Sequence, residues 1–190
     1  PEQQTYYLQR SRERLLALNR LIQDLFELAK LEAGRMDFSF TQVAVHDFFE
    51  EFAYRFEANV RGANLSYSAS GNLPPNQYVL VDLLRMEQVI SNLISNAIKY
   101  TEQGRISLNM YVEDGELICI VEDSGIGIPE HELPFIFDGY FRASNSQVLN
   151  SHGIGLAICK EIITQHQGKI YVDSKDTGSR FYFTLPIQST

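Results

Sequence analysis

The sequence contains few basic residues, and this shortage limits the partners it can have. There are 16 Lys and Arg against 24 Asp and Glu, so the formal net charge is −8. A general nucleic-acid-binding protein needs a basic patch that neutralises phosphates, and an acidic chain argues against that class. Binding of a single nucleotide is not excluded, because a local cluster of Lys, Arg and backbone N–H groups can hold its phosphates.

Cysteine is scarce, and long apolar runs are missing. The two cysteines, Cys119 and Cys159, lie in apolar surroundings and are expected to be buried and reduced. No Cys/His group has zinc-site spacing, no apolar run approaches the roughly 20 residues that span a bilayer, and no signal peptide is present. We therefore expect no membrane contact by this chain. It begins at Pro1 without an initiating methionine, so we expect it to belong to a longer protein.

The most informative stretch is residues 85–101, RMEQVISNLISNAIKYT, whose apolar residues recur at helical spacing. Asn92 and Asn96 lie one turn apart on one side of this helix, and Lys99 follows within a turn. An amide oxygen suits a hard cation such as Mg²⁺, and a lysine suits phosphate. The alternative interpretation is a buried helix with two incidentally exposed amides. The apolar face consists of Met86, Val89, Ile90, Leu93, Ile94, Ala97 and Ile98.

Residues 5–33 predict one long helix with an apolar seam of the coiled-coil type. Such a stripe cannot be buried by the helix alone, so it needs partner helices. We favour the second helix of a dimeric four-helix bundle over a helix folded back on its own domain. This divides the chain into residues 1–35, part of a bundle, and residues 36–190, a separate domain. The seam is formed by Leu8, Ser11, Leu15, Leu18, Ile22, Leu25 and Ala29.

The second domain is expected to be α/β, with a mixed sheet and helices on one face in two layers. A hairpin turn is expected at Asp114–Gly115. The long irregular stretch 124–151 is expected to be functional, since loops of that length in compact domains usually are. The predicted strands are 37–43, 65–68, 78–81, 106–112, 117–121, 170–173 and 181–185, a turn covers 70–76, and the further helices are 45–61 and 156–165.

Two glycine-containing runs have the composition of ligand-binding loops. Asp123 ends a predicted strand just before Gly125 and Gly127, where a carboxylate can accept a hydrogen bond from an amine and glycine admits a flat ring. The alternative is an ordinary Asp-Ser-Gly turn. Gly153 and Gly155 precede the helix that starts near residue 156, and helix-start N–H groups bind phosphate. The alternative here is simple helix punctuation.

These runs together resemble the ATP-binding domain of sensor histidine kinases, within the gyrase/Hsp90/histidine kinase/MutL superfamily. The 85–101 stretch, DSGIGIP, IFDGYFR, HGIGLA and TGSRF resemble the N, G1, F, G2 and G3 boxes in order and spacing. RLIQDLFELAKLEAGRM resembles the end of the family's dimerisation domain. The resemblance covers residues 1–188 and implies a Bergerat-type fold that binds ATP and Mg²⁺.

The resemblance also assigns roles to individual residues. Asn96 is the implied Mg²⁺ ligand, and Asn92 assists the metal or a nearby water. Lys99 and Tyr100 lie against the phosphates and the ribose side, and Asp123 accepts from N6 of adenine. The other implied nucleotide-binding positions are Gly125, Gly127, Ile128, Tyr140, Arg142, His152, Gly153, Ile154, Gly155, Leu156 and Thr184.

Arg142 is expected to reach the γ-phosphate, because a permanent positive charge can offset the charge on the transferred group. With Asn92 and Lys99 it forms the expected catalytic set. The chain departs from the common pattern at Ser151, where many relatives carry Gly, and at His152, where they carry Thr or Ser. His152 either donates to a phosphate or faces solvent.

The amide at Asn92 favours a kinase over a hydrolase. Hydrolysing members of the superfamily carry a carboxylate at this position, whereas an amide cannot take a proton. The expected reaction is transfer of the γ-phosphate to a histidine, and from there to an aspartate of a response regulator receiver domain. No phosphoacceptor run surrounds any of the histidines, so the acceptor is expected on a missing first helix. The histidines are His46, His131, His152 and His166.

Three alternatives stay open: a gyrase- or Hsp90-type ATPase, a serine kinase of the same superfamily, and a pseudokinase that serves as a dimerising scaffold. In the kinase interpretation the full-length protein is a homodimer. This chain would then be the cytoplasmic portion of a bacterial, often membrane-anchored, sensor.

Overall fold

The computed structural model describes residues 2–34, 37–139, 141, 144, 153–175 and 177–188. The helices are α1 (Glu2–Glu32), α2 (Val45–Ala53), α3 (Glu57–Gly62), α4 (Leu83–Tyr100) and α5 (Gly155–Gln165), with a short 3-10 helix at Glu130–Phe135. The strands are β1 (Thr41–Ala44), β2 (Ser66–Asn72), β3 (Tyr78–Val81), β4 (Arg105–Glu113), β5 (Glu116–Asp123), β6 (Lys169–Lys175) and β7 (Gly178–Gln188).

The strands form one mixed sheet covered by helices on one face. The order is β1-β3-β7-β5-β4-β2, with β6 also paired to β7. The β2–β4 pair is parallel and the other described pairs are antiparallel. Along β4 and β5 the buried residues alternate with half-buried ones, as expected when one face packs against helices. The predicted two-layer α/β sandwich is confirmed.

The core lies between the sheet and helices α2, α4 and α5. Helix α4 contributes the apolar face that its sequence predicts, with Ile90 and Leu93 fully buried. Phe48 and Phe52 of α2 pack edge to face, with their ring centroids 5.0 Å apart. Cys119 and Cys159 are both free and buried in this core, and burial raises the pKa of both thiols. The prediction of reduced core cysteines is confirmed.

Three predicted boundaries are wrong. The helix predicted at 45–61 is interrupted after α2, because a bend at Tyr54 (φ −111°, ψ −9°) lets Phe56 and Val60 both face the core. Strand β2 runs through the start of the turn predicted at 70–76, because it pairs residue by residue with β4 up to Tyr111. Strand β1 starts at Thr41 rather than at 37, since its pairing with β3 begins there.

Helix α1 keeps much of its apolar seam exposed. Leu8 is 71% exposed and Leu15 is 61% exposed, and Leu18, Ile22 and Leu25 are also among the exposed apolar residues. That this seam packs against partner helices remains a prediction. No helix in the described residues is both long and apolar enough to cross a bilayer.

The β4–β5 hairpin turns at the predicted dipeptide. Asp114 has φ 50° and Gly115 has φ 80°, the two positive values of a type I′ turn. Apart from the two chain neighbours of Gly115, no described residue has an atom within 4 Å of the place where a Cβ on Gly115 would stand. The glycine is therefore required by its backbone conformation and not by space.

We predict that Gly115→Ala lowers the free energy of unfolding by about 1 kcal/mol, because an L-residue is strained at this φ. Urea denaturation of the chain measures the change. Asp114→Gly is the control, since glycine adopts the φ of residue 114 without strain. Equal stability of Gly115→Ala and the unmodified chain would contradict the turn assignment.

Candidate functional site

A buried carboxylate marks one end of the site. Asp123 is the last residue of β5 and is 8% exposed. The Gly125 N–H donates to its Oδ1 at 2.8 Å. Burial raises the pKa of this carboxyl group, while hydrogen bonds from the N–H groups of Gly125 and Ser179 oppose the rise. The backbone thus holds Asp123 in a fixed orientation at the end of its strand.

A buried hydroxyl lies beside this carboxylate. Thr101 follows the last residue of α4 and is 4% exposed. Its Oγ1 has no hydrogen-bond partner of normal geometry among the described residues, although it is close enough to Asp123 to favour the ionised carboxylate. An unsatisfied buried polar group costs about 1–3 kcal/mol. A ligand with polar atoms next to Asp123 would satisfy this hydroxyl.

The glycines after Asp123 let two loops pack against backbone. A Cβ on Gly125 would lie 2.2 Å from the Tyr100 carbonyl oxygen. Gly127 has φ +68°, and a Cβ there would lie 1.9 Å from the Lys175 carbonyl oxygen. The sequence pattern predicts that these glycines leave room for a flat ring. In the structure their first effect is to bring the loop against the end of α4 and the end of β6.

Serines of the β6–β7 hairpin complete this end of the site. The Ile128 N–H donates to Ser174 Oγ at 2.7 Å, and this hydroxyl donates to the Gly178 carbonyl at 2.9 Å. Ser174 Oγ also lies 3.2 Å from Ser179 Oγ. A cavity of about 810 Å³ lies beside this end, lined by residues of β5, β6, β7 and the 3-10 helix, and none of the described residues that line it belongs to α4 or α5.

The prediction for Thr184 is wrong. Its hydroxyl donates to Glu116 Oε1 at 3.1 Å, at the opposite end of β5 from Asp123. Ser179 is the β7 residue that pairs with Asp123, and Thr184 lies five residues further along, about 17 Å away at 3.4 Å per residue. Ser179 and Thr101 were not predicted as site residues. Both lie in runs that were singled out in the sequence: Ser179 is the serine of TGSRF, and Thr101 is the last residue of the 85–101 stretch.

The amides of α4 lie at the other end of the site. Asn92 Nδ2 donates to the Gly155 carbonyl at 3.4 Å and lies 3.7 Å from Cys159 Sγ. Because Gly155 begins α5, this contact joins α4 to the start of α5. Asn96 is half-buried one turn later and lies five residues before Thr101, about 7.5 Å along the helix axis. The two amides are therefore within a small molecule's length of Asp123.

The structure describes Lys99 near the end of α4 and the predicted glycines at the start of α5, and their roles remain predictions. Lys99 Nζ lies 4.9 Å from the centroid of the Tyr100 ring. Gly153 has φ +68° and Ile154 is buried, so the chain turns sharply into α5. A Cβ on Gly155 would make only ordinary contact, at 3.5 Å, with the Asn92 amide. Leu156 is half-buried in the first turn.

Tyr140, Arg142 and His152 lie outside the described residues, so their predicted roles remain predictions. Described residues on either side of Tyr140 and Arg142 make specific contacts. Both carboxylate oxygens of Glu132 accept from the Ser144 N–H at 3.1 Å. The Phe137 ring packs edge to face on Phe181 with centroids 6.4 Å apart. Among the described residues no group of three or more His, Cys, Asp or Glu side chains could hold a metal ion.

Known proteins share both this sequence pattern and this fold. The family model described as "Histidine kinase-, DNA gyrase B-, and HSP90-like ATPase" matches residues 81–189. The "Adaptive-response sensory kinase SasA" of Synechocystis sp. is 32% identical over 98% of this chain. The chain spans about half of that relative's length, 49%.

Two solved structures of a histidine kinase are similar to the fold. The catalytic domain of histidine kinase ThkA, in a nucleotide-free form, has a TM-score of 0.66 at 30% identity. The similarity covers 78% of this chain and 95% of that one. ThkA in complex with the response regulator protein TrrA has a TM-score of 0.67 at 26% identity, covering 89% of this chain and 48% of that one.

The family model covers more than half of the chain, and the residues it matches include Asp123, Thr101 and both α4 amides. The resemblance noted in the sequence is therefore confirmed: the chain belongs to the family of histidine kinase-, DNA gyrase B- and HSP90-like ATPases.

Proposed function

We propose that the chain is the catalytic part of a sensor histidine kinase, which binds ATP with Mg²⁺ and donates the γ-phosphate to a histidine on an upstream helix. The observation that supports the proposal is that the middle of α4 contacts the start of α5 through Asn92, while the C-terminal end of α4 lies beside Asp123 through Thr101. The printed names of its relatives, a sensory kinase and a histidine kinase, support the same activity.

In this proposal, adenine binds at the buried end of the site. The Asp123 carboxylate accepts from the exocyclic N6 amine, and the unsatisfied Thr101 hydroxyl bonds to the adjacent ring edge or to a water between them. Gly127 and Ile128 line the base, since their loop is held over it by Ser174. Binding therefore adds a polar partner for a hydroxyl whose contact with Asp123 lacks normal hydrogen-bond geometry.

The phosphates bind at the other end of the site, at the start of α5. The backbone N–H groups at the start of α5, from Gly153 to Leu156, face the triphosphate. Asn96, assisted by Asn92, and phosphate oxygens hold a Mg²⁺ ion, which neutralises charge on the phosphates. Lys99 adds a positive charge and Tyr100 contacts the ribose side. Tyr140, Arg142 and His152 are proposed to complete this end.

The amide at Asn92 favours transfer over hydrolysis. Its nitrogen donates to Gly155, and an amide cannot remove a proton from water. This separates the kinase from the gyrase- and Hsp90-type ATPases. A pseudokinase with no nucleotide affinity is the alternative that a binding measurement tests, because Ser151 and His152 depart from the common pattern.

Two macromolecular partners are proposed. The exposed seam of α1 fits a second copy of the chain, since an apolar helical stripe such as Leu15, Leu18 and Leu25 packs against helices. A response regulator receiver domain is the phosphate acceptor after the histidine, and the complex of the related ThkA with TrrA supports this assignment. We propose that residues 1–35 belong to the dimerisation bundle and 36–190 to the ATP-binding domain of a cytoplasmic region.

We predict that Asp123→Asn weakens ADP binding at least about tenfold, equivalent to ~1.4 kcal/mol, without lowering the Tm at pH 7. Burial raises the pKa of Asp123 above its unfolded value near 3.9, so the ionised carboxylate costs folding free energy at neutral pH. That cost disappears as the pH falls through the raised pKa, so the Tm advantage of the variant shrinks towards pH 4.

Calorimetry with ADP and thermal denaturation between pH 4 and 7 measure both effects. The matched control is Glu113→Gln, an exposed carboxylate at the end of β4, at the β4–β5 turn and away from Asp123. It should leave ADP affinity unchanged. Normal ADP affinity of Asp123→Asn would remove Asp123 from the site.

We predict that Asn96→Ala abolishes the gain in ATP affinity that Mg²⁺ provides. The unmodified chain should bind ATP with a Kd below about 1 mM with Mg²⁺ and more weakly with a chelator. Titrations under both conditions measure the difference, and Ser95→Ala, an exposed neighbour on α4, is the control. A Mg²⁺ effect that survives in Asn96→Ala would assign the metal to other ligands.

We predict that the chain incubated with γ-labelled ATP stays unlabelled by itself, and transfers label when a fragment with the phosphoacceptor helix is added. None of its own histidines lies in an acceptor run. Acid-labile label and released phosphate are measured together. Stoichiometric label on His46, His131, His152 or His166 contradicts the proposal, and rapid phosphate release without transfer favours an ATPase.

A further inference from the structure

The linker after α1 is bonded to the ends of α4 and α5 that lie away from the proposed nucleotide site. The connection, called here the linker joint, consists of Phe38, Asp82, Arg85 and His166, together with Glu27 of α1. Helix α4 starts at this joint and ends beside Asp123, while α5 begins at the phosphate end and finishes at the joint. Both helices thus run from the joint to the proposed nucleotide site.

Asp82 makes three connections at once. Its Oδ1 accepts from the Arg85 N–H at 3.1 Å and caps the start of α4. Its Oδ2 accepts from the Ser39 N–H of the linker at 2.8 Å. Its own N–H donates to His166 Nε2 at 3.0 Å. A displacement of the linker at Ser39 must therefore move α4 and α5 or break one of these bonds.

The contacts of the His166 ring place this residue in the linker joint. It is 3% exposed, and its Nδ1–H donates to the Ile162 carbonyl at 2.7 Å in the last turn of α5. Since Nε2 accepts from Asp82, the ring is neutral with its proton on Nδ1. Burial lowers the pKa of the ring, which keeps it neutral. The Phe38 and Phe40 rings pack edge-on against it, with centroids 5.6 and 4.9 Å away.

Arg85 extends the joint to α1. Its Nη1 forms a 3.1 Å ion pair with Glu27, whose other carboxylate oxygen accepts from the Gln88 amide. The guanidinium also lies over the Phe38 ring, 6.0 Å from its centroid. The side chains of Arg85 and Glu27 are 21% and 29% exposed, so the pair is only partly screened by solvent.

We propose that Asp82 and His166 are positioning residues for phosphoryl transfer, which couple the position of the linker to the two helices of the nucleotide site. The inference deepens the proposed function and rests on it. Because coupling between two sites is reciprocal, nucleotide binding at the far ends of α4 and α5 changes the stability of the Ser39–Asp82 bond. Arg85 and Glu27 pass the same restraint to α1.

The test uses two His166 variants with different reach. The amide of His166→Gln extends to the position of Nε2 and can accept from Asp82, whereas His166→Asn reaches only the position of Nδ1. ADP with Mg²⁺ should slow hydrogen exchange of the Ser39 amide by at least about fivefold in the unmodified chain, the lower end of typical coupling. The effect should persist in His166→Gln and be smaller in His166→Asn, which loses the link to α5 but keeps the link from Asp82 to α4.

Calorimetry with ADP on the same samples separates the two proposals. If the unmodified chain does not bind ADP, the proposed function fails and the coupling fails with it. If ADP binds but leaves exchange at Ser39 unchanged, only the coupling is overturned. An equal response in His166→Asn and the unmodified chain also overturns it, because the His166 link is then not required.

A second variant avoids the buried ring. Glu27→Gln should broaden the distance distribution between spin labels at Asn19→Cys on α1 and Glu113→Cys on the β4–β5 hairpin, while ADP affinity changes by less than about twofold. The native cysteines are buried, so labels attach to the introduced ones. Gln23→Ala, an exposed change on α1, is the control. An unchanged distribution in Glu27→Gln overturns the connection to α1.

Discussion

The buried carboxylate of Asp123 is the constraint around which the rest of the site is arranged. Removing an acid from water disfavours its charged form, as the raised pKa of this group records. The fold opposes that tendency with N–H groups from Gly125, in the loop after β5, and from Ser179, in β7. The loop after β5 approaches the ends of α4 and β6 because Gly125 and Gly127 have no side chain to obstruct the backbone.

Helix α4 carries polar groups to both ends of the proposed site. Its apolar face packs on the sheet and fixes the helix axis. With the axis fixed, Asn92 meets the start of α5, and Thr101 meets Asp123. In the proposed site, the groups for adenine and for phosphate are therefore separated by a rigid helix, which keeps the distance between them constant. The same helix starts at Asp82, so the site and the linker share one support.

Several parts of the fold and of the site follow from local patterns. Helix α4, the hairpin at Asp114–Gly115 and the carboxylate at the end of β5 were all predicted, because each depends on periodicity or on a turn residue. The interruption after α2 was not predicted. The apolar period continues through Tyr54, and only packing of Phe56 against the core reveals the break.

The sequence alone determined the apolar periods, the glycine positions, the pair of amides and the acid that identify the family, since these depend on neighbours along the chain. The tertiary structure decided which residue of β7 lies beside Asp123, because pairing between β5 and β7 selects Ser179 and leaves Thr184 at the far end. It also decided that His166 touches Asp82, 84 positions away in the chain. Contacts between distant segments depend on strand register and helix packing, and neither can be read from the residues on either side.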